Sequence, residues 1–229
     1  MPTDTTERVA PAGSELQTLV VVSGAHLISH LHIMVLPVLL PLLKDQLQVG
    51  FFELGLALTT FNVVTGVTQA PMGFLVDRVG AKTVLIAGLM LGGLAFLSLG
   101  FTGSYSWLIV TAVLAGLANC VYHPSDYAIL TDSIAEDRIG RAFSIHTFAG
   151  FVGGAIAPPL LLGLVAVGSL GTSLICAGLL AWLTAAVVFL IPDQQQAGAQ
   201  ARAGKNTGAA GNAVSVVTPA VLALTGFFT

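Results

Sequence analysis

The chain reads as an all-α integral membrane protein: a six-helix bundle followed by the start of a seventh transmembrane helix. Three observations predict this. Of 229 residues, 55% are apolar and only 8% charged, whereas a soluble domain carries about 25% charged residues and could not cover itself with so few. The apolar residues fall into six runs near the ~20 residues that span a bilayer. Between the second and third runs, Gly73-Phe74-Leu75-Val76-Asp77-Arg78-Val79-Gly80-Ala81-Lys82 holds the only charges between Glu53 and Asp126. A hydrophobic run that stops there and resumes at once is a tight turn between two membrane helices.

The N-terminal tail, residues 1–17, carries Asp4, Glu7, Arg8 and Glu15 and lacks the basic start of a cleaved signal peptide. Span one is Thr18–Leu43, with Pro37 and Pro41 placed to bend its far end. Lys44–Phe51 connects it to span two, Phe52–Val76, where Asn62, Thr65 and Gln69 form a polar stripe. Span three is Thr83–Phe101. After Thr102–Ser104 comes span four, Tyr105–Leu130, in which Trp107 reads as an interfacial anchor. The charged loop Thr131–Arg141 leads to span five, Ala142–Val167. There Gly150, Gly153, Gly154, Pro158 and Pro159 suggest close packing and a bend. Gly168-Ser169-Leu170-Gly171 leads to span six, Thr172–Ile191. Residues 18–191 thus form the bundle. Residues 192–212, rich in Gln, Ala and Gly, read as a flexible linker, and residues 213–229 as a seventh helix cut short.

The basic residues set the orientation. With the N-terminus inside, Arg8, Arg78, Lys82, Arg138, Arg141, Arg202 and Lys205 all fall on the cytoplasmic side and only Lys44 outside, a strong positive-inside bias. No basic block suggests nucleic acid. Cys120 and Cys176 lie in apolar runs and read as small buried hydrophobes. No metal and no cofactor is expected.

Ionisable groups are costly in lipid and usually face a cavity, so those inside the spans are the candidates for function. His26, His30, His123, Asp126 and His146 stand in spans one, four and five. At 1.5 Å per residue, His26, His123, Asp126 and His146 lie about 6–12 Å from the inner ends of their helices. His26 and His30, four apart, share a face; His32 is rotated away, toward neighbouring helices or headgroups. Imidazole changes charge near neutral pH, so the group reads as a proton-titrating lining of a transport path. The rival reading makes them structural ties, with Asp126 fixed to Arg141 or His146.

Gly73-x-x-x-Asp77-Arg78-x-Gly80-x-Lys82 resembles the loop 2–3 signature of the major facilitator superfamily. His123-Pro124-Ser125-Asp126 and Gly140-Arg141-Ala142-Phe143-Ser144-Ile145-His146-Thr147, with Gly150 and Pro158, resemble its fosmidomycin-resistance-type branch. The likeness covers about residues 25–191. It implies a major-facilitator-type bundle of two inverted three-helix repeats, with His26 and His123 at corresponding places. It also implies that Gly73, Asp77, Arg78, Gly80 and Lys82 form a conformational latch, and that a Gly/Pro-rich fifth helix accompanies export. The function so implied is proton-coupled export of a small molecule, of the drug or antibiotic class, from a bacterial-type inner membrane. The expected partners are substrate, protons, the bilayer, and a missing C-terminal half or second copy. Three features depart from the family pattern, the first being Ala81 at the loop signature's second basic position. Ala112 stands where many members carry Arg in helix four, and about seven spans replace the usual twelve. An inactive half-transporter is therefore the alternative. A retinal protein is excluded by the absence of Lys from the seventh run, and no Gly-x-Ser-x-Gly or His-Glu-x-x-His motif marks an enzyme.

Overall fold

The computed structural model describes residues 12–191, and these are helical almost throughout. The elements are α1 (Ala12–Leu47), α2 (Phe51–Val79), α3 (Ala81–Thr102), α4 (Tyr105–Asn119), α5 (Tyr122–Ser133), α6 (Ile139–Val167) and α7 (Leu170–Leu190). Counting α4 and α5 as one span, six are long and apolar enough to cross a membrane. Residues 1–11 of the predicted tail, the predicted linker and the predicted seventh helix lie outside the described residues.

Two differences from the sequence reading have clear causes. Helices overrun the predicted spans because a helix need not stop where its apolar run stops. Thus α1 begins at Ala12 rather than Thr18, with Glu15 in its first turn, and ends at Leu47 with Lys44 in its last, the charge placement that suits the helix dipole. The predicted continuous span Tyr105–Leu130 is instead divided at Cys120 and Val121. Pro124 accounts for the division: it has no N–H to give the Cys120 carbonyl, where an uninterrupted helix would place one. The chain keeps right-handed helical torsions at both residues, so the axis continues while the hydrogen-bond ladder lapses.

The packing carries an internal symmetry. α1 packs most extensively on α6, and α3 on α7; α2 packs on α4, α3 on α4 and α1 on α7. In span numbers these pairs are 1·5, 3·6, 2·4, 3·4 and 1·6. Exchanging spans 1, 2, 3 with 4, 5, 6 turns 1·5 into 2·4, 3·4 into 1·6, and leaves 3·6 unchanged. That is the pattern two three-helix repeats produce. Small residues let these helices close. A Cβ on Gly153 would run into the Leu27 carbonyl oxygen across the α1–α6 seam, and one on Gly178 would lie 2.5 Å from the Gly93 oxygen across α3–α7.

Two apolar clusters fill the bundle, one toward each end. Along α1 the changeover falls between Ile28 and Leu31, and along α6 between Ala142 and Ala157. His26, His123 and Asp126 stand within the stretches of α1 and α5 that carry the cluster of Ala25, Ile28, Tyr122 and Ile129.

Candidate functional site

α1 brings His26 and, one turn on, His30; α5 brings His123 and Asp126; α6 brings His146. All five meet. Asp126 Oδ2 stands 3.4 Å from His26 Nδ1 and 3.7 Å from His146 Nε2. The His26 and His146 rings stack with centroids 3.9 Å apart. His30 and His123 meet His26 edge-on at 4.5 and 5.2 Å. Asp126 and His146 are wholly buried and His26 is 3% exposed.

The cluster is close-packed yet unsatisfied. Its His–Asp separations exceed hydrogen-bond length. Both Asp126 oxygens, both His146 nitrogens, His26 Nδ1 and His123 Nδ1 lack a hydrogen-bond partner among the described residues. A carboxylate sealed from water requires a proton or a compensating cation. The arrangement can therefore accommodate a positive charge.

Local sequence explains how the rings fit. A Cβ on Gly150 would lie 2.8 Å from His26 Nε2 and 2.9 Å from His30 Nε2; glycine there is the space the imidazoles occupy. One on Gly154 would meet nothing within 4 Å. Pro158 lies inside the unbroken α6. Asp126 pairs with the two histidines and not with Arg141, which lines a cavity at the end of the bundle beside Glu15 and Arg138. His32 is apart from the cluster: its Nε2 contacts the Ala177 carbonyl oxygen at 3.0 Å and its ring meets Phe96, tying α1 to α7 and α3.

At the turn between α2 and α3, Gly80 alone separates the helices, with φ 96° and ψ 134°, a conformation open essentially to glycine. Asp77 and Arg78 are exposed and form no ion pair among the described residues. Lys82 does something else. Its Nζ donates to the Phe189 carbonyl at 3.0 Å and the Ile191 carbonyl at 2.6 Å, capping α7. Gly73 is half-buried near the end of α2.

Sequence reasoning passed over three residues. Tyr127, one turn beyond His123, lies against the His123 and His146 rings; the spacing of four was the available signal. Tyr122 is buried, and its hydroxyl has no hydrogen-bond partner among the described residues. Glu15 pairs with Arg138 at 3.0 Å, a contact 123 residues apart that no local pattern announces.

The model of the Major Facilitator Superfamily matches residues 22–229. The chain belongs to that family. Relatives include an MFS-type transporter, YfnC, of Bacillus subtilis, 26% identical over 65% of this chain and 36% of its own length. The fosmidomycin resistance protein of Escherichia coli is 27% identical over 73% of the chain and 40% of its own. The methyl viologen resistance protein SmvA of Salmonella typhimurium is 31% identical over 65% and 30%. The chain thus spans about a third of the length of these relatives. Membership of this family and six helices long and apolar enough to cross a membrane make it a multi-pass membrane protein of a transporter family.

Proposed function

We propose that this chain is the N-terminal half of a secondary active transporter that exports a small molecule, of the drug or antibiotic class, in exchange for protons by alternating access. The observation that carries the reading is Asp126 held between His26 and His146, sealed from solvent yet without hydrogen bonds. A group so placed must exchange its proton whenever the bundle opens it to a new side. One proton crossing about 100 mV delivers ~2.3 kcal/mol. The substrate class rests on the printed names of two relatives, resistance proteins toward fosmidomycin and methyl viologen. Cytoplasmic N-terminus and inner-membrane residence rest on the distribution of basic residues.

The alternative, a half that is inactive by itself, also has an observation behind it. The most apolar stretches of α2 and α6 are buried for only 17% and 22% of their residues, against 39–56% in the other four spans. Rocking needs a second bundle, and these two faces would receive it.

The test uses acid-inside membrane vesicles carrying the chain together with a second six-helix bundle. Adding methyl viologen releases protons from wild type and not from Asp126→Asn. Full release by the variant overturns proton coupling through this cluster. No release from wild type with methyl viologen or with fosmidomycin overturns the substrate class. A cysteine replacing Arg78 in a chain free of Cys120 and Cys176 reacts with an impermeant thiol reagent only from the cytoplasmic side; labelling from outside overturns the orientation.

A further inference from the structure

We infer that His26, Asp126 and His146 form a binding site for a divalent transition-metal ion of the zinc class. One ligand atom from each residue can be chosen so that all three lie within 4.8 Å of one another, and His26 Nδ1 and His146 Nε2 are the ring nitrogens that face Asp126 Oδ2. The two distances to the carboxylate oxygen are 3.4 and 3.7 Å. Ligand atoms about 2.0–2.2 Å from a tetrahedral zinc ion stand about 3.3–3.6 Å apart. The 3.4 Å side therefore falls within the range that such an ion imposes and the 3.7 Å side lies just above it, so a small closure of the cluster would seat the ion. Two imidazoles and one carboxylate are a donor set that zinc-class ions favour over magnesium or calcium, which prefer oxygen alone.

Burial and unmet hydrogen bonding point the same way. All three ligand atoms are buried and none has a hydrogen-bond partner among the described residues. A metal ion would satisfy the three together and supply the positive charge a sealed carboxylate needs. His30 and His123 flank the site at ring-contact distance, leaving a fourth position for one of them or for water. The ligands come from three different helices, which is why no sequence spacing disclosed them. Bound there, the ion crosslinks α1, α5 and α6. The site stands whether or not the cluster also handles protons.

The test takes the whole chain, purified without a histidine tag and with Cys120 and Cys176 replaced by alanine, so that no thiol competes. It is titrated with zinc chloride by calorimetry and, separately, with cobalt chloride, followed by visible absorption, which is intense for tetrahedral nitrogen and oxygen ligation. One zinc ion binds per chain, unfolding temperature rises with zinc, and magnesium does neither. His146→Gln and Asp126→Asn each weaken zinc binding at least about tenfold and abolish the cobalt spectrum; His32→Gln, a histidine outside the cluster, leaves both intact. Absence of zinc uptake by the parent chain overturns the site, as does equal uptake by the cluster variants. Because the readouts are binding and absorption, zinc uptake with no transport would sink only the transport reading, and transport with no zinc uptake only this one.

Discussion

Gly150 and His26 fit each other across the α1–α6 seam: the position a Gly150 Cβ would take lies 2.8 Å from His26 Nε2. No side chain fits there without moving a ring of the cluster. Gly150→Ala therefore displaces His26 and His30 and costs about 1–3 kcal/mol of stability through overpacking. Exchange in vesicles falls at least about tenfold, since small misplacements of reacting groups have that effect. Gly154→Ala, one turn further along α6 and facing open space, leaves exchange and unfolding temperature near those of wild type. Equal behaviour of the two variants would refute the packing argument.

Gly80 is the hinge of the α2–α3 turn, and its torsions decide its replacement. At φ 96° and ψ 134° a Cβ meets its own backbone, so Gly80→Ala costs about 1–3 kcal/mol. The neighbouring Ala81→Gly, in the first turn of α3, costs less than about 1 kcal/mol. Thermal unfolding of the detergent-solubilised chain separates them.

The loop charges divide by what they touch. Lys82 holds two carbonyls at the end of α7, so Lys82→Met lowers stability by about 1 kcal/mol, a figure reduced for its partial exposure. Arg78, exposed and without an ion pair among the described residues, gives a change within about 0.5 kcal/mol when replaced by Gln. A latch that engages Arg78 in another state predicts that Arg78→Gln slows turnover while leaving unfolding unchanged; measuring both quantities on one preparation checks it.

The fold was legible because the bilayer imposes a coarse rule. Runs of apolar residues near span length and a charged turn at Asp77–Lys82 suffice to place six helices, whatever their packing. Which residues meet was legible only in part. His26 and His146 could be assigned a common depth from rise per residue, but not a common axis, since the rotation of their helices is set by the α1–α6 seam at Gly153. The break at Cys120 and Val121 was written in Pro124, whose missing N–H was the signal to read. Lys82 reaching the end of α7 and Glu15 reaching Arg138 could not be read, because contacts over more than 100 residues leave no local period.

The Glu15–Arg138 pair offers the clearest energetic test of such a contact. Glu15 Oε1 accepts from Arg138 Nη2 at 3.0 Å, with the Glu15 side chain 8% exposed and that of Arg138 43% exposed. The guanidinium keeps much of its hydration, so the attraction is screened and the pair contributes about 1 kcal/mol. The carboxylate keeps little. Removing its partner strands it, so Arg138→Met alone costs about 1–3 kcal/mol. Glu15→Gln with Arg138→Met costs less than Arg138→Met alone, because the neutral amide no longer requires a cation. A double-mutant cycle on thermal unfolding measures this. Additive losses would mean that the first turn of α1 is held by the apolar contacts of Leu19 and Val22, with the ion pair incidental to its position.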